Sequence, residues 1–156
     1  MAEPLRVALA GLGTVGIGVI RLIEANAALI ARRAGRPIQI SVVSARDRSR
    51  SRGVDLSPYA WEDDMVILGE RADVDVVVEM VGGSDGPALA LARTTIEAGK
   101  ALVTANKAMI AHHGVELAQA AEAANVALKY EAAVAGGIPV IKGLREGAAA
   151  NEITHV

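Results

Sequence analysis

Gly11-Leu12-Gly13-Thr14-Val15-Gly16 has the spacing G-x-G-x-x-G. It directly follows Leu5-Arg6-Val7-Ala8-Leu9-Ala10, an apolar run that reads as a buried strand, and it opens a stretch of helical periodicity. Strand, glycine turn and helix in that order form the phosphate-binding start of a doubly wound α/β sheet. In this pattern Gly11 permits the tight turn, Gly13 lets the backbone approach a pyrophosphate, and Gly16 lets the helix pack closely on the strand. Leu12, Thr14 and Val15 complete the loop. An anion there would meet the unpaired N–H groups of the helix N-terminus. A glycine-rich turn without a ligand is the bland alternative, and the order of the flanking elements argues against it.

Outward from this loop, the periodicity predicts one helix from Thr14 to about Ala34. Val15, Val19, Leu22, Ile23 and Ile30 would form its apolar stripe, and Gly35-Arg36-Pro37 its end. Strands are expected over 38–43, 74–79, 101–103 and 126–130. Shorter helices are expected over 62–69, from Pro87 to Ala98 with Gly99 as the cap, over 115–124, and from Pro139 to near Gly147. The β–α alternation predicts the α/β class: a Rossmann-type doubly wound parallel sheet with helices on both faces. Residues 1–150 would be one nucleotide-binding domain. Residues 151–156 look like a further strand cut short, the truncated start of a second domain, so the sequence is expected to be a piece of a longer protein.

Composition narrows the function. A chain of 156 residues and 16.0 kDa has room for one well-packed domain. With no cysteine, there is no thiolate metal site, disulfide framework or cysteine nucleophile. Aromatics are 2% (Tyr59, Trp61 and Tyr130) and the net charge is -2, which argues against nucleic acid as a partner. No apolar run approaches the ~20 residues needed to span a bilayer, so no membrane association is expected. Met1–Arg6 shows no signal-peptide pattern, so the expected location is cytoplasmic.

The second strand bears on which dinucleotide is bound. It runs into Ser44-Ala45-Arg46, where a site for the unphosphorylated cofactor usually carries an acid for the ribose 2′-OH. Seven arginines lie within 32–52 against one acid, Asp47. A guanidinium pairs well with phosphate, so Arg46 is the candidate for the 2′-phosphate of NADP. Asp47 leaves NAD open. Arg48, Arg50 and Arg52 are expected to be largely a solvated basic loop.

Three later segments carry a family resemblance. They are Asp75-Val76-Val77-Val78-Glu79-Met80-Val81-Gly82-Gly83, Val103-Thr104-Ala105-Asn106-Lys107-Ala108 and Glu131-Ala132-Ala133-Val134-Ala135-Gly136-Gly137-Ile138-Pro139. With the glycine loop they resemble the N-terminal part of homoserine dehydrogenase, in order and over essentially the whole chain. The resemblance implies NAD(P)-dependent interconversion of homoserine and aspartate 4-semialdehyde, a step towards threonine, methionine and isoleucine. It implies that Gly82 and Gly83 lie beside the cofactor, and that Thr104 and Lys107 face the nicotinamide. It also implies a monovalent cation, usually Na+, held by Glu131, Val134, Gly136 and Ile138, mostly through carbonyls. Family members continue into a substrate domain that also forms a homodimer interface. With that domain absent, these residues alone are expected to bind cofactor with little turnover. No aspartokinase domain is expected before the first strand.

From the residues alone, Lys107 follows a strand end, where α/β sheets place ligands. Its ammonium could bind a substrate oxygen or move a proton, and it is the candidate catalytic residue; a surface lysine is the plain alternative. Glu131 could instead cap nearby backbone N–H groups. His112 and His113 are adjacent and so diverge; they read as a helix-start feature, not metal ligands. Lys142 and Arg145 read as solvent or interface charges. Aldehyde dehydrogenases with an acyl-enzyme step need a cysteine and drop out. Sugar-type oxidoreductases are excluded less firmly, because Ala105-Asn106-Lys107-Ala108 stands where they carry E-K-P. An NADP(H)-sensing module without catalysis remains the alternative, with no task for Lys107 or 131–139.

Overall fold

In the computed structural model, which describes residues 2–150, 152 and 153, six parallel strands form one sheet. In chain order the elements are β1 (Leu5–Ala10), α1 (Thr14–Ala25), α2 (Ala27–Ala34), β2 (Ile38–Ser44), β3 (Ala60–Trp61) and a 3₁₀ turn (Met65–Gly69). There follow β4 (Val76–Glu79), α3 (Pro87–Glu97), β5 (Ala101–Thr104), α4 (Lys107–Ala123), β6 (Leu128–Lys129) and α5 (Val140–Lys142), which runs into a wider turn over Gly143–Gly147. The strand order is β3-β2-β1-β4-β5-β6. That is the doubly wound arrangement expected, and its direction reverses between β1 and β4. The strand expected over 151–156 falls mostly outside the described residues.

β1 is the central strand, and its alternation builds both cores. Val7 and Leu9 face one side with Ile17 and Ile20 of α1 and with Ile40 and Val43 of β2. Ala8 and Ala10 face the other with Leu91 and Ala92 of α3 and with Met109 and Leu117 of α4. Small residues on that side let the helices approach the sheet closely.

Three expectations change. The helix over 14–34 is two helices meeting at 82°. At the break, Asn26 bonds the Leu22 carbonyl through both its backbone N–H (3.1 Å) and its side-chain amide (3.0 Å). This local bonding ends α1. The buried face of α1 also differs from the stripe expected. Ile17 and Ile20 are buried, whereas Val15 and Leu22 are 58% and 59% exposed. The helix expected over 62–69 is only the 3₁₀ turn Met65–Gly69, which follows the edge strand β3. The helix expected from 115 begins at Lys107, because the Asn106 side chain accepts from the Met109 N–H at 3.1 Å. His112 and His113 therefore lie within α4, not at its start.

At the far end of the sheet, Asp75 accepts from the Arg6 backbone N–H (2.8 Å) and from its guanidinium (2.6 and 3.2 Å). These bonds from Arg6 hold the Asp75 carboxyl at a pKa of about 2. Folding thus favours the carboxylate. Its contribution is complete above the unfolded value of about 4 and fades as pH falls towards 2. Asp75→Asn is expected to flatten the acid limb of a stability-against-pH curve. An unchanged limb would show that the pair has no such role.

Candidate functional site

A cleft of about 730 Å³ opens at the C-terminal ends of β1, β2 and β4, where the sheet order reverses. Open α/β sheets bind ligands at this point. Its walls are the glycine loop, the arginine loop after β2, and the turn Met80–Gly83 after β4.

The glycine loop is built by close backbone packing. Gly11 has φ +98°, and a Cβ there would lie 2.7 Å from the Met80 carbonyl oxygen. A Cβ at Gly16 would overlap the Gly11 carbonyl, so α1 can sit on β1 only with glycine at this position. Gly13 is different: a Cβ there would meet no protein atom within 4 Å. Its bareness therefore faces the cleft, not the protein. Gly13 is also the N-cap of α1, with no side chain capping the helix. The first-turn N–H groups are left for an anion. Leu12 is buried beneath the loop, while Thr14 and Val15 lie exposed in the first helical turn, off the cleft lining.

On the second wall Arg46 is exposed and lines the cleft, with no hydrogen-bond or ion-pair partner among the described residues. Asp47 beside it is also exposed and lines the cleft. Its carboxylate accepts from the Ser49 hydroxyl (2.6 Å) and N–H (2.9 Å), and these bonds lower its pKa. Arg52 is not the solvated residue expected. Its guanidinium bonds the carbonyls of Leu12 (3.3 Å), Arg50 (2.7 Å) and Asp47 (2.5 Å). The same loop is tied to α1 by Arg21 on the Gly53 carbonyl (3.1 Å) and by the Tyr59 hydroxyl on Glu24 (2.5 Å). Burial and that carboxylate push the Tyr59 pKa up to about 12.

The third wall rests on a residue that sequence reasoning missed. Glu79, at the end of β4, has no exposed surface. It accepts from the N–H groups of Val81 (2.6 Å) and Gly82 (3.1 Å) and from the Thr104 hydroxyl (2.6 Å). Thr104 in turn accepts from the Asn106 N–H at 3.0 Å, and the Asn106 side chain donates to the Gly83 carbonyl at 2.7 Å. The Thr104 hydroxyl therefore points into the protein, whereas the resemblance implies that Thr104 faces the nicotinamide. The network fixes the turn carrying Gly82 and Gly83, both at positive φ, to the start of α4. At the cleft rim His113 bonds Asp85 at 2.9 Å, joining α4 to the start of α3. That bond, after a stronger one from Ser84, lowers the Asp85 pKa.

Lys107 is exposed at the first position of α4, just past β5 and outside the cleft lining. Glu131 lies apart, beyond β6. Its Oε1 accepts from the Lys142 backbone N–H at 2.6 Å, whereas Oε2 is buried with no partner among the described residues. The Ile138 carbonyl accepts from the Val140 N–H at 2.7 Å. Gly136 takes a positive φ in the turn between Val134 and Ile138. No cluster of three His, Asp or Glu side chains fit to hold a metal occurs among the described residues.

Residues 11–131 match the family model described as homoserine dehydrogenase, NAD binding domain. The chain belongs to this family. Homoserine dehydrogenase from Neisseria gonorrhoeae is 46% identical over 154 residues, covering 99% of this chain and 35% of that protein. The Corynebacterium glutamicum homoserine dehydrogenase is 46% identical over 151 residues, covering 96% and 33%. Among solved structures, a homoserine dehydrogenase from Thiobacillus denitrificans superposes with a TM-score of 0.87 at 41% identity, covering 96% of this chain and 34% of that one. The chain thus spans about a third of the length of the relatives it matches. The fold is the Rossmann type, and its family ligand is a nicotinamide dinucleotide. The local structure fits that ligand: a bare Gly13, an uncapped helix N-terminus and an unpaired guanidinium line one cleft. Among the described residues, no single helix is long and apolar enough to cross a membrane.

Proposed function

We propose that this chain is the cofactor domain of a cytoplasmic enzyme that interconverts homoserine and aspartate 4-semialdehyde, with NADP(H) preferred over NAD(H). The observation that carries the preference is the pair Arg46 and Asp47. The guanidinium is free at the cleft, whereas the neighbouring carboxylate, which also lines the cleft, is engaged by the Ser49 hydroxyl and N–H. A ribose 2′-OH would have to compete with Ser49 for that acid, whereas a 2′-phosphate would find a cation without a partner among the described residues.

The bound nicotinamide supplies or accepts the hydride. The chain's own residues bind and orient. N–H groups at the start of α1 hold the pyrophosphate, with Gly13 leaving room for it. Gly82 and Gly83 present bare backbone along the cofactor. Lys107 offers its ammonium to the substrate oxygen as it gains or loses its proton. Thr104 acts from within, by holding Glu79 and Asn106. The buried, unpartnered Oε2 of Glu131 supports a monovalent cation such as Na+ at the Glu131, Val134, Gly136 and Ile138 turn. Residues 1–150 make up the nucleotide-binding domain. The whole protein would take homoserine and the semialdehyde as small-molecule partners and act as a homodimer.

Calorimetric titration of wild type and Arg46→Ala tests the cofactor assignment. The substitution is expected to weaken NADPH binding about 10- to 100-fold and NADH binding less than about threefold. Equal weakening of both nucleotides would overturn the role given to Arg46.

A further inference from the structure

We propose that Arg52 is the positioning residue that locks the arginine loop to the glycine loop and thereby sets the preference for the 2′-phosphorylated dinucleotide. The proposal rests on the NADP(H) reading of the cleft.

Residues 45–59 connect β2 to β3 with no helix or strand of their own. A loop of this length needs tertiary restraint to present a side chain in one geometry. Arg52 supplies much of it. Nη2 and Nη1 bond the Asp47 and Arg50 carbonyls, closing residues 47–52 on themselves. Nε reaches the Leu12 carbonyl, inside the glycine loop. The planar fork thus bridges the wall carrying Arg46 and Arg50 to the wall expected to hold the pyrophosphate. Its guanidinium carbon lies 5.8 Å from the centre of the Trp61 ring, and that of Arg48 lies 5.6 Å from the same ring. Trp61 is in turn anchored through Nε1 to Asp63 at 2.8 Å. Arg52 itself lines the cleft, but three of its five N–H groups are spent on backbone carbonyls of the two loops, which gives it a positioning role exerted through Arg46. The spacing between the two phosphate-binding loops then depends on a fork that lysine cannot reproduce.

The test compares dissociation constants for NADPH and NADH in wild type, Arg46→Ala, Arg52→Lys and the double variant. Arg52→Lys keeps the charge and loses the fork. It is expected to lower the NADPH-over-NADH preference about tenfold in the wild-type background. In the Arg46→Ala background the same change should move the preference less than about twofold. An unchanged preference in Arg52→Lys would overturn the proposal. So would an equal loss in both backgrounds, which would mean that Arg52 contacts the phosphate itself. Equal affinity of wild type for the two nucleotides would instead remove the NADP(H) reading beneath it. If Arg52→Lys does not fold, Trp61→Leu removes the ring under the fork and is expected to lower the preference about threefold, with Trp61→Phe restoring it. No change in Trp61→Leu would count against the proposal.

Discussion

Gly11→Ala is expected to abolish dinucleotide binding and to cost about 2–5 kcal/mol of stability, from backbone strain and overpacking together. The φ of +98° is one cause. The other is that the added Cβ would lie 2.7 Å from the Met80 carbonyl oxygen and 2.8 Å from its carbon. Neither side can yield easily. The Gly11 N–H is bonded to the Ser44 carbonyl, and the Met80 N–H to the Ala10 carbonyl, each at 2.8 Å. Gly13→Ala is the informative contrast. Its backbone is extended, and the new methyl meets nothing in the protein. Stability should change by no more than about 1 kcal/mol, the cost of a poorer N-cap. Binding should nevertheless be lost, because the methyl takes the place of the approaching pyrophosphate. Thermal melts paired with titrations separate the two. Tight binding by Gly13→Ala would mean that the loop does not hold the ligand.

Glu79→Ala is expected to cost about 3–5 kcal/mol, because it leaves two N–H groups and a hydroxyl without their acceptor in a buried site. Glu79→Gln keeps the shape and one acceptor oxygen. Its amide would face the Thr104 hydroxyl, which then lacks an acceptor for its own hydrogen. A cost of about 1–2 kcal/mol is expected for this variant. Nucleotide affinity should fall in the same order, since the Gly82–Gly83 turn hangs from this carboxylate. Urea denaturation of the three proteins measures the ranking. Equal stability of Glu79→Ala and wild type would show that the network carries no weight.

The fold was legible where local pattern and topology agree. A strand, three glycines at fixed spacing and a helix leave few alternatives, and the later β-branched runs then fall into the parallel sheet. Residues whose partners lie far away were not legible. Glu79 stands in plain view after three valines, yet its role depends on Thr104 from the neighbouring strand. Arg52 bonds carbonyls, which every residue offers, so no spacing announces it. The α1–α2 break turns on one asparagine inside an unbroken apolar rhythm. The early start of α4 was signalled by Asn106 as a helix cap, but Ala108, Ala111 and Gly114 blur the periodicity behind it. At the site, the glycine positions and Arg46 could be read from pattern. The inward turn of the Thr104 hydroxyl could not, because it depends on where a buried acid sits.

Trp61 is the single tryptophan of the chain and packs against the arginine loop at the edge of the cleft. Its emission therefore reports on the site directly. Titration with NADPH, and with NADH in parallel, is expected to quench it saturably at one nucleotide per chain, with NADPH tighter by about tenfold or more. Saturation by neither nucleotide, in a protein whose circular dichroism shows the α/β fold intact, would contradict a dinucleotide site between the glycine and arginine loops.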